Sequence, residues 1–335
     1  MSKTYRVSVI IPTYQRCGLL RNTLLFLARQ TLSPEAFEVV VGIDGSTDGT
    51  LEMIASLDLP YRLVAHHQDN RGRASACNAA IHRAEGELLV LLDDDMEPIP
   101  SLLDEHLRAH HGRDGIGVLG AVPIRIEPDC SPVVQYVGTK FNRHLEMLAR
   151  PGYQLQLRDF YSGNFSIPRD LMLEIGGFDE DFEVYGNEDL DLSLRLRDAG
   201  VSLIYSPDAV AFQCYTKDFA ALARDTTAKG RTAVLLAHKH PEAFDDLKLG
   251  TYSHAPWPVR LIRDGLLRIS EVWPAIPQGV MRLYSLLESR PGLALRSTYV
   301  HVLGYFYWLG ARAALREHAE LEPTNVPVAL RELQR

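Results

Sequence analysis

Three times in its first hundred residues the chain runs through a short, mostly aliphatic stretch and then stops at polar or acidic side chains. Val7 to Ile11 ends at Pro12-Thr13-Tyr14-Gln15-Arg16, Val39 to Ile43 at Asp44-Gly45-Ser46-Thr47-Asp48-Gly49, and Leu88 to Leu92 at Asp93-Asp94-Asp95. A fourth run extends from Ile116 to Ile126. Such runs predict strands covered on both faces. The stretches between them, Leu19 to Gln30, Leu51 to Leu57 and Ala74 to Ala84, predict helices. Alternation of strand and helix predicts an α/β fold built on a Rossmann-like, mostly parallel sheet. Ligands of such sheets bind outside the carboxyl ends of the strands, where the polar residues of this chain collect.

Asp93 and Asp95 share one face if the strand continues extended, with Asp94 on the other. Two carboxylates at an open sheet end suit Mg²⁺ or Mn²⁺, ions held by one or two carboxylates together with substrate phosphates. A solvated acidic turn is the plainer reading, at the cost of three adjacent like charges. The Asp44 to Gly49 segment begins like a calcium loop, but Ala55 stands where that loop needs glutamate. A helix-capping turn and a ligand role stay about even for it.

Gly115-Ile116-Gly117-Val118-Leu119-Gly120 matches the dinucleotide-binding pattern, yet it lies at an apolar run and has Gln135 and Tyr136 where the acid belongs. No G-x-x-x-x-G-K-[ST] phosphate loop occurs. His106, His110 and His111 lack the H-E-x-x-H arrangement and read as packing or surface residues. Asn187 suits an N-cap, and Glu188 and Asp189 a first helical turn, where the helix dipole alone accounts for acids. A carboxylate there is equally placed to accept a proton from a hydroxyl.

At 335 residues, with 46% hydrophobic and 23% charged, the chain is long enough for about two domains at roughly 150 residues each. The net charge of −8 is uneven: eight Arg against four acids between Pro256 and His318 give that stretch +4, leaving −12 elsewhere. An acidic body argues against nucleic acid as a partner, while the basic tail leaves open an anionic membrane surface. Cys17, Cys77, Cys130 and Cys214 form no paired spacing, and the amino terminus carries no apolar signal region, so a reduced, cytoplasmic protein is expected. The segment from Phe160 to Thr216 reads as loop-rich and acidic. The part beyond about Ala220 reads as Arg-rich and helical, broken at Trp257-Pro258, Trp273-Pro274 and Pro291.

Together, Val9 to Arg16, Asp44 to Thr50, Asn70 to Ala79, Leu92 to Asp95 and Glu188 to Leu192 resemble, in order, the motifs of family 2 glycosyltransferases with the GT-A fold. The resemblance spans roughly residues 7 to 215. It implies a GT-A catalytic domain over 1–250, with a nucleotide-binding half of about 1–125 and an acceptor half of about 126–250, and a helical extension over 251–335. The implied activity is inverting transfer from a nucleotide-sugar donor, a UDP-sugar first, to a hydroxyl on a small molecule, glycan or lipid-linked glycan.

By the same resemblance Pro12, Thr13 and Tyr14 line base and ribose with Arg16 beside them, and Asp44 accepts the base N–H. Arg73 and Asn78 flank the nucleotide. Asp93, within the D-x-D motif with Asp94, approaches the ribose, and Asp95, with Asp93, binds the Mg²⁺ or Mn²⁺. Asp189, paired with Glu188, is the general base, and Gly163 and Asn164 face donor sugar and acceptor.

Two departures stand out. Cys77 replaces an Arg common in the family, which shifts a phosphate or base contact to Arg71 or Arg73. Gln213 stands where a metal-binding His is often found. A nucleotidyltransferase and a non-catalytic nucleotide-sugar binder are the competing readings. The tail helices read as a cover for the catalytic domain or as a peripheral membrane contact.

Overall fold

Four strands of the first half run parallel: Val7–Thr13 (β1), Phe37–Asp44 (β2), Arg62–Gln68 (β3) and Leu88–Leu92 (β4). In the computed structural model, which describes residues 5–288 and 295–317, helices Cys17–Leu27 (α1), Thr50–Ser56 (α2) and Arg73–Arg83 (α3) make the crossovers. Further along come Met96–Pro98 (β5), Leu102–His110 (α4), Ile116–Ala121 (β6), Pro132–Leu148 (α5), Asn164–Pro168 (β7), Arg169–Glu174 (α6), Glu188–Asp198 (α7) and Ser202–Gln213 (β8). The strands form one sheet in the order β3-β2-β1-β4-β7-β6-β8-β5.

Alternate residues of the central strands feed two cores. Val7, Val9, Ile11, Val90 and Leu92 pack with Leu20, Leu24 and Leu27 of α1, whereas Ile10, Leu89 and Leu91 pack with Ala74, Cys77, Ala80 and Ile81 of α3. β1, β2 and β4 are buried throughout, and the polar residues inside them are paired: Ser8 Oγ donates to Glu38 Oε1 at 2.7 Å, and Arg62 Nη1 donates to Glu38 Oε2 at 2.8 Å.

Three sequence expectations are corrected. The fourth run stops at Ala121, because Pro123 cannot donate to the ladder. The segment from Phe160 to Thr216 holds β7, α6, α7 and the 12-residue β8. β8 escaped notice because Pro207 and Asp208 interrupt it, and the structure absorbs them where the register jumps from Gly120↔Ser206 to Ala121↔Val210. β3 escaped because it is only partly covered and reads as mixed polar and apolar.

His106 is fully buried on α4, with Nδ1 2.7 Å from Ser166 Oγ and Nε2 2.9 Å from Asn164 Oδ1, and His110 Nε2 lies 2.9 Å from the same Ser166 oxygen. Burial lowers both imidazoles to about 4, so the folded protein keeps them neutral where the unfolded chain, with pKa near 6.5, protonates. The unfolded state binds more protons between those values, and this contribution to stability is lost as pH falls from about 6.5 towards 4. Asp95, held up near 6 by burial and its acidic neighbours, tilts the opposite way over the same window. The diagnostic quantity is therefore a difference. Urea midpoints measured against pH should give His106→Gln a flatter acid limb than the unaltered protein, by at most about 3 kcal/mol, and parallel limbs would remove the assignment.

The described chain divides into two compact units. One comprises Met1–Arg125, Gly138–Glu183 and Glu188–Tyr215; the other comprises Ile126–Val137, Val184–Asn187 and Thr216–Arg335. The second unit is thus drawn from three segments, the last beginning at Thr216. The second unit contains Phe219–Lys239 (α8), Trp257–Val272 (α9), Ala275–Glu288 (α10) and Arg296–Glu317 (α11). Asp218 caps α8 by accepting from Ala221 N at 2.7 Å. α8 and α11 touch backbone to backbone at Gly230 and Gly310, where an added Cβ would fall 1.9 Å from Tyr307 O and Thr227 O respectively. The helix breaks expected at Trp257-Pro258 and Trp273-Pro274 are present; Pro291 lies outside the described residues.

Candidate active site

The strand order reverses between β1 and β4, since β2 and β3 lie to one side of β1 and the rest to the other. That switch point is where an open α/β sheet leaves a crevice, and its rim is formed by Thr13 to Arg16 and by Asp93 to Asp95. The chain turns at 93–95 instead of continuing extended, so the expected alternation of the three carboxylates fails. Asp94 and Asp95 converge on one guanidinium: Arg16 Nη1 donates to Asp94 Oδ1 at 2.9 Å and to Asp95 Oδ2 at 3.2 Å. Thr13 Oγ1 adds a 2.7 Å bond to Asp94 Oδ2. Burial opposes the Arg16 charge, but Asp94 and Asp95 more than offset it and hold the guanidinium above its ordinary range.

Asp95 remains the most frustrated of the three. Burial first, then the charges of Asp93 and Asp94, push it up to about 6. Gln213, at the end of β8, donates through Nε2 to both its oxygens at 3.4 Å. Excess negative charge there fits a hard divalent cation; Asp95 is the carboxylate turned towards one, while Asp93, its expected companion, is ion-paired with Arg73. Among the described residues no three His, Cys, Asp or Glu side chains surround an ion-sized centre, so phosphate and water oxygens would complete the coordination.

Asp93 faces the other way. Its Oδ1 accepts from Arg73 Nη2 at 2.8 Å, and Arg73 Nη1 lies 3.6 Å from Asp189 Oδ1 and 3.9 Å from Glu188 Oε1. Burial works against the Arg73 charge; the Cys77 sulfur and the carboxylates of Asp93, Asp189 and Glu188 reverse that and raise it well above its ordinary value. Nη1 itself is buried with no hydrogen-bond partner. Cys77, inside α3, is pushed up to about 12 by burial, so it stays a thiol and is no nucleophile.

Asp189 opens α7, with its side chain 30% exposed, and accepts from Ser162 Oγ at 2.5 Å. Gly163 lies against Asp93, where a Cβ would come 2.5 Å from Oδ2. Asn187 precedes α7 with φ 65°, and its Nδ2 donates to Lys229 O and Thr232 Oγ1, each at 2.8 Å.

Other expected ligand residues serve the scaffold. Asp44 accepts from Arg71 N at 2.8 Å, Gly72 N at 2.9 Å and Gln68 Nε2 at 3.0 Å, so its carboxylate shapes the turn that leads into α3. Asn78 pins the following loop: its Nδ2 donates to Phe178 O at 2.8 Å and Glu180 Oε1 at 3.0 Å, and its Oδ1 accepts from Phe178 N at 2.8 Å. Asn164, expected to face sugar and acceptor, is fully buried and donates to Ala121 O at 3.1 Å and Ala209 O at 2.9 Å, the carbonyls at the β6/β8 register jump. Pro12 is buried in β1, and Tyr14 is half exposed at the rim. Arg71 is exposed and pairs with Glu180 at 3.4 Å, leaving Arg73 as the inward cation. The bond from Ser162 to Asp189 is the feature sequence reasoning did not foresee; a contact across 27 positions leaves no local signal.

The profile of Glycosyl transferase family 2 matches residues 8–175, half of the chain, and that of the N-terminal domain of galactosyltransferase matches 143–217. The chain belongs to glycosyl transferase family 2. Among curated family members it is 29% identical over 251 residues to the uncharacterized glycosyltransferase YfnE of Bacillus subtilis, covering 62% of this chain and 64% of that one. It is 32% identical over 232 residues to validoxylamine A glucosyltransferase of Streptomyces hygroscopicus, covering 61% of this chain and 50% of the relative. The chain thus spans about half to two thirds of those relatives' lengths. Mannosyltransferase PcManGT from Pyrobaculum calidifontis superposes with TM-score 0.59 at 20% identity, over 94% of this chain and 88% of that one. TarS 1–349 of S. aureus superposes with TM-score 0.51 at 17% identity, over 95% and 93%. These superpositions establish the GT-A fold, and it is the family match that speaks against the nucleotidyltransferase reading.

Proposed function

We propose that this glycosyltransferase moves a sugar from a nucleoside diphosphate donor to an acceptor hydroxyl with inversion at the anomeric carbon, Asp189 serving as general base. The buried, unpartnered Nη1 of Arg73, held between Asp93 and Asp189, carries this reading: it is a hydrogen-bond donor awaiting an anion beside the carboxylate that would take the proton. Pro12, Thr13, Tyr14, Arg16, Asp44, Arg73, Asn78, Asp93 and Asp94 form the nucleotide side, some by contact and Asp44 and Asn78 by holding the loops around it. Gly163 lets the Asp93 carboxylate lie close against the backbone on the side where the donor sugar is expected.

A Mg²⁺ or Mn²⁺ ion on Asp95 and Asp93 would offset charge on the departing diphosphate. As the acceptor oxygen attacks, its proton passes to an Asp189 oxygen, and the sugar–phosphate bond breaks with its electron pair going to the diphosphate. Ser162 orients the base by donating to Oδ1.

PcManGT was solved with GDP-Man and Mn²⁺ and TarS with UDP and UDP-GlcNAc, so one fold accepts different bases. UDP-sugars are the first donors to try. Thermal unfolding with a panel of nucleotide sugars and Mn²⁺ should show one protected best, since ligand at about 100 times its Kd adds roughly 2.7 kcal/mol. The product made from that donor should carry the inverted anomeric configuration by NMR. No protection by any nucleotide sugar, or a retained configuration, would reject the reading.

A further inference from the structure

A surface helix normally turns its apolar stripe towards the core and its charges outward. α9 buries Leu267 but also carries an apolar stripe turned outward. Leu261, Ile262, Gly265, Arg268, Ile269 and Val272 recur at helical spacing along one side of α9, and all but Gly265, which is partly covered, are exposed. Trp257 and Trp273 bracket the helix, and both, like Leu261, Ile262 and Val272, are 65% or more exposed.

The acids and one arginine of α9 turn the other way, into their own unit. Arg263 stacks on the Tyr252 ring at 3.6 Å, Asp264 Oδ1 accepts from Tyr252 Oη at 2.7 Å, and Glu271 pairs with Arg312 at 2.6 Å and with Arg316. α10 adds Leu283, Leu286 and Arg282 to the exposed set. Aliphatic side chains, two terminal tryptophans and arginines are thus exposed along α9 and α10, and none of the acids in these helices is exposed.

We propose that this exposed set on α9 and α10 docks on an anionic lipid bilayer, the helices lying in the plane of the headgroups. Indole rings settle at the boundary between acyl chains and water, and arginines beside them meet lipid phosphates. Among the described residues no helix is long and apolar enough to cross a membrane, which suits a helix that lies on the surface. A second copy of the chain is the poorer occupant, because two such faces would oppose arginine to arginine with no exposed acid to meet them. The inference stands apart from the donor and from the role of Asp189.

The full chain, mixed with vesicles of equimolar phosphatidylcholine and phosphatidylglycerol, is expected to sediment with them at low salt and to be released as salt screens the charges. Tryptophan emission should shift to the blue, because two of the three tryptophans are exposed and Trp308 is already buried. Ile262→Asp combined with Val272→Asp, both at exposed positions, should lower partitioning at least about tenfold with an unchanged unfolding temperature. Protein that stays in the supernatant, a double variant that partitions like the unaltered chain, or equal binding to pure phosphatidylcholine overturns the proposal. So does a dimer, seen by light scattering, that the same substitutions dissociate in the absence of vesicle binding.

Discussion

Asp189→Asn is expected to lower turnover by about a thousandfold, the scale of a positioned general base, while donor affinity changes by less than about threefold. The amide keeps the size of the carboxylate and can still accept from Ser162 Oγ through its carbonyl, so the fold should survive. What disappears is the proton acceptor at the first turn of α7, beside Arg73 at 3.6 Å. Single-turnover transfer together with calorimetric donor binding separates the two effects. Turnover within tenfold of the unaltered enzyme would dismiss Asp189 as the base, and lost donor affinity would reassign it to binding.

Arg73→Met should cost both stability and activity. The side chain is 20% exposed and lies among Asp93, Glu188 and Asp189, of which Glu188 is almost wholly buried. Methionine fills the volume and leaves three carboxylates facing one another, and removing one partner of a buried ion pair typically costs about 3–5 kcal/mol. The urea midpoint should fall accordingly. Arg73→Lys should regain much of the stability but little of the transfer, because one ammonium cannot hold Asp93 and still offer a second fixed donor to a phosphate. A midpoint unchanged within about 0.5 kcal/mol would show that the carboxylates do not depend on Arg73.

β1, β2 and β4 were legible because burial on both faces leaves a predominantly apolar run, and β4 matches its expected limits residue for residue, whereas the partly covered β3 was not. β7 and β8 were not: a five-residue antiparallel strand and a strand broken by Pro207 owe their pairing to distant partners and carry little local signature. The acidic strand ends were legible as a cluster, but their partition was not. That Asp94 and Asp95 share Arg16 while Asp93 belongs to Arg73 follows from a turn at 93–95 and from cations 78 and 20 positions away. Asn164 shows the same limit. The resemblance placed it towards sugar and acceptor, and its amide donates to two carbonyls that only the assembled β6 and β8 bring together.

The scattered make-up of the second unit bears on how the protein must be synthesised. Residues 126–137 and 184–187 leave the ribosome long before most of the helices they join, and Tyr136 meets Tyr299, 5.1 Å between ring centres, only when α11 has been made. Asn187 likewise waits for Lys229 and Thr232 of α8. Asp189 sits two residues beyond Asn187, so a nascent or truncated chain ending near residue 215 presents the α7 start without the bonds that fix its lead-in. The lead-in at Asn187 is therefore fixed only once α8 has been made, and exchange of the second unit between relatives would have to carry its two internal segments along.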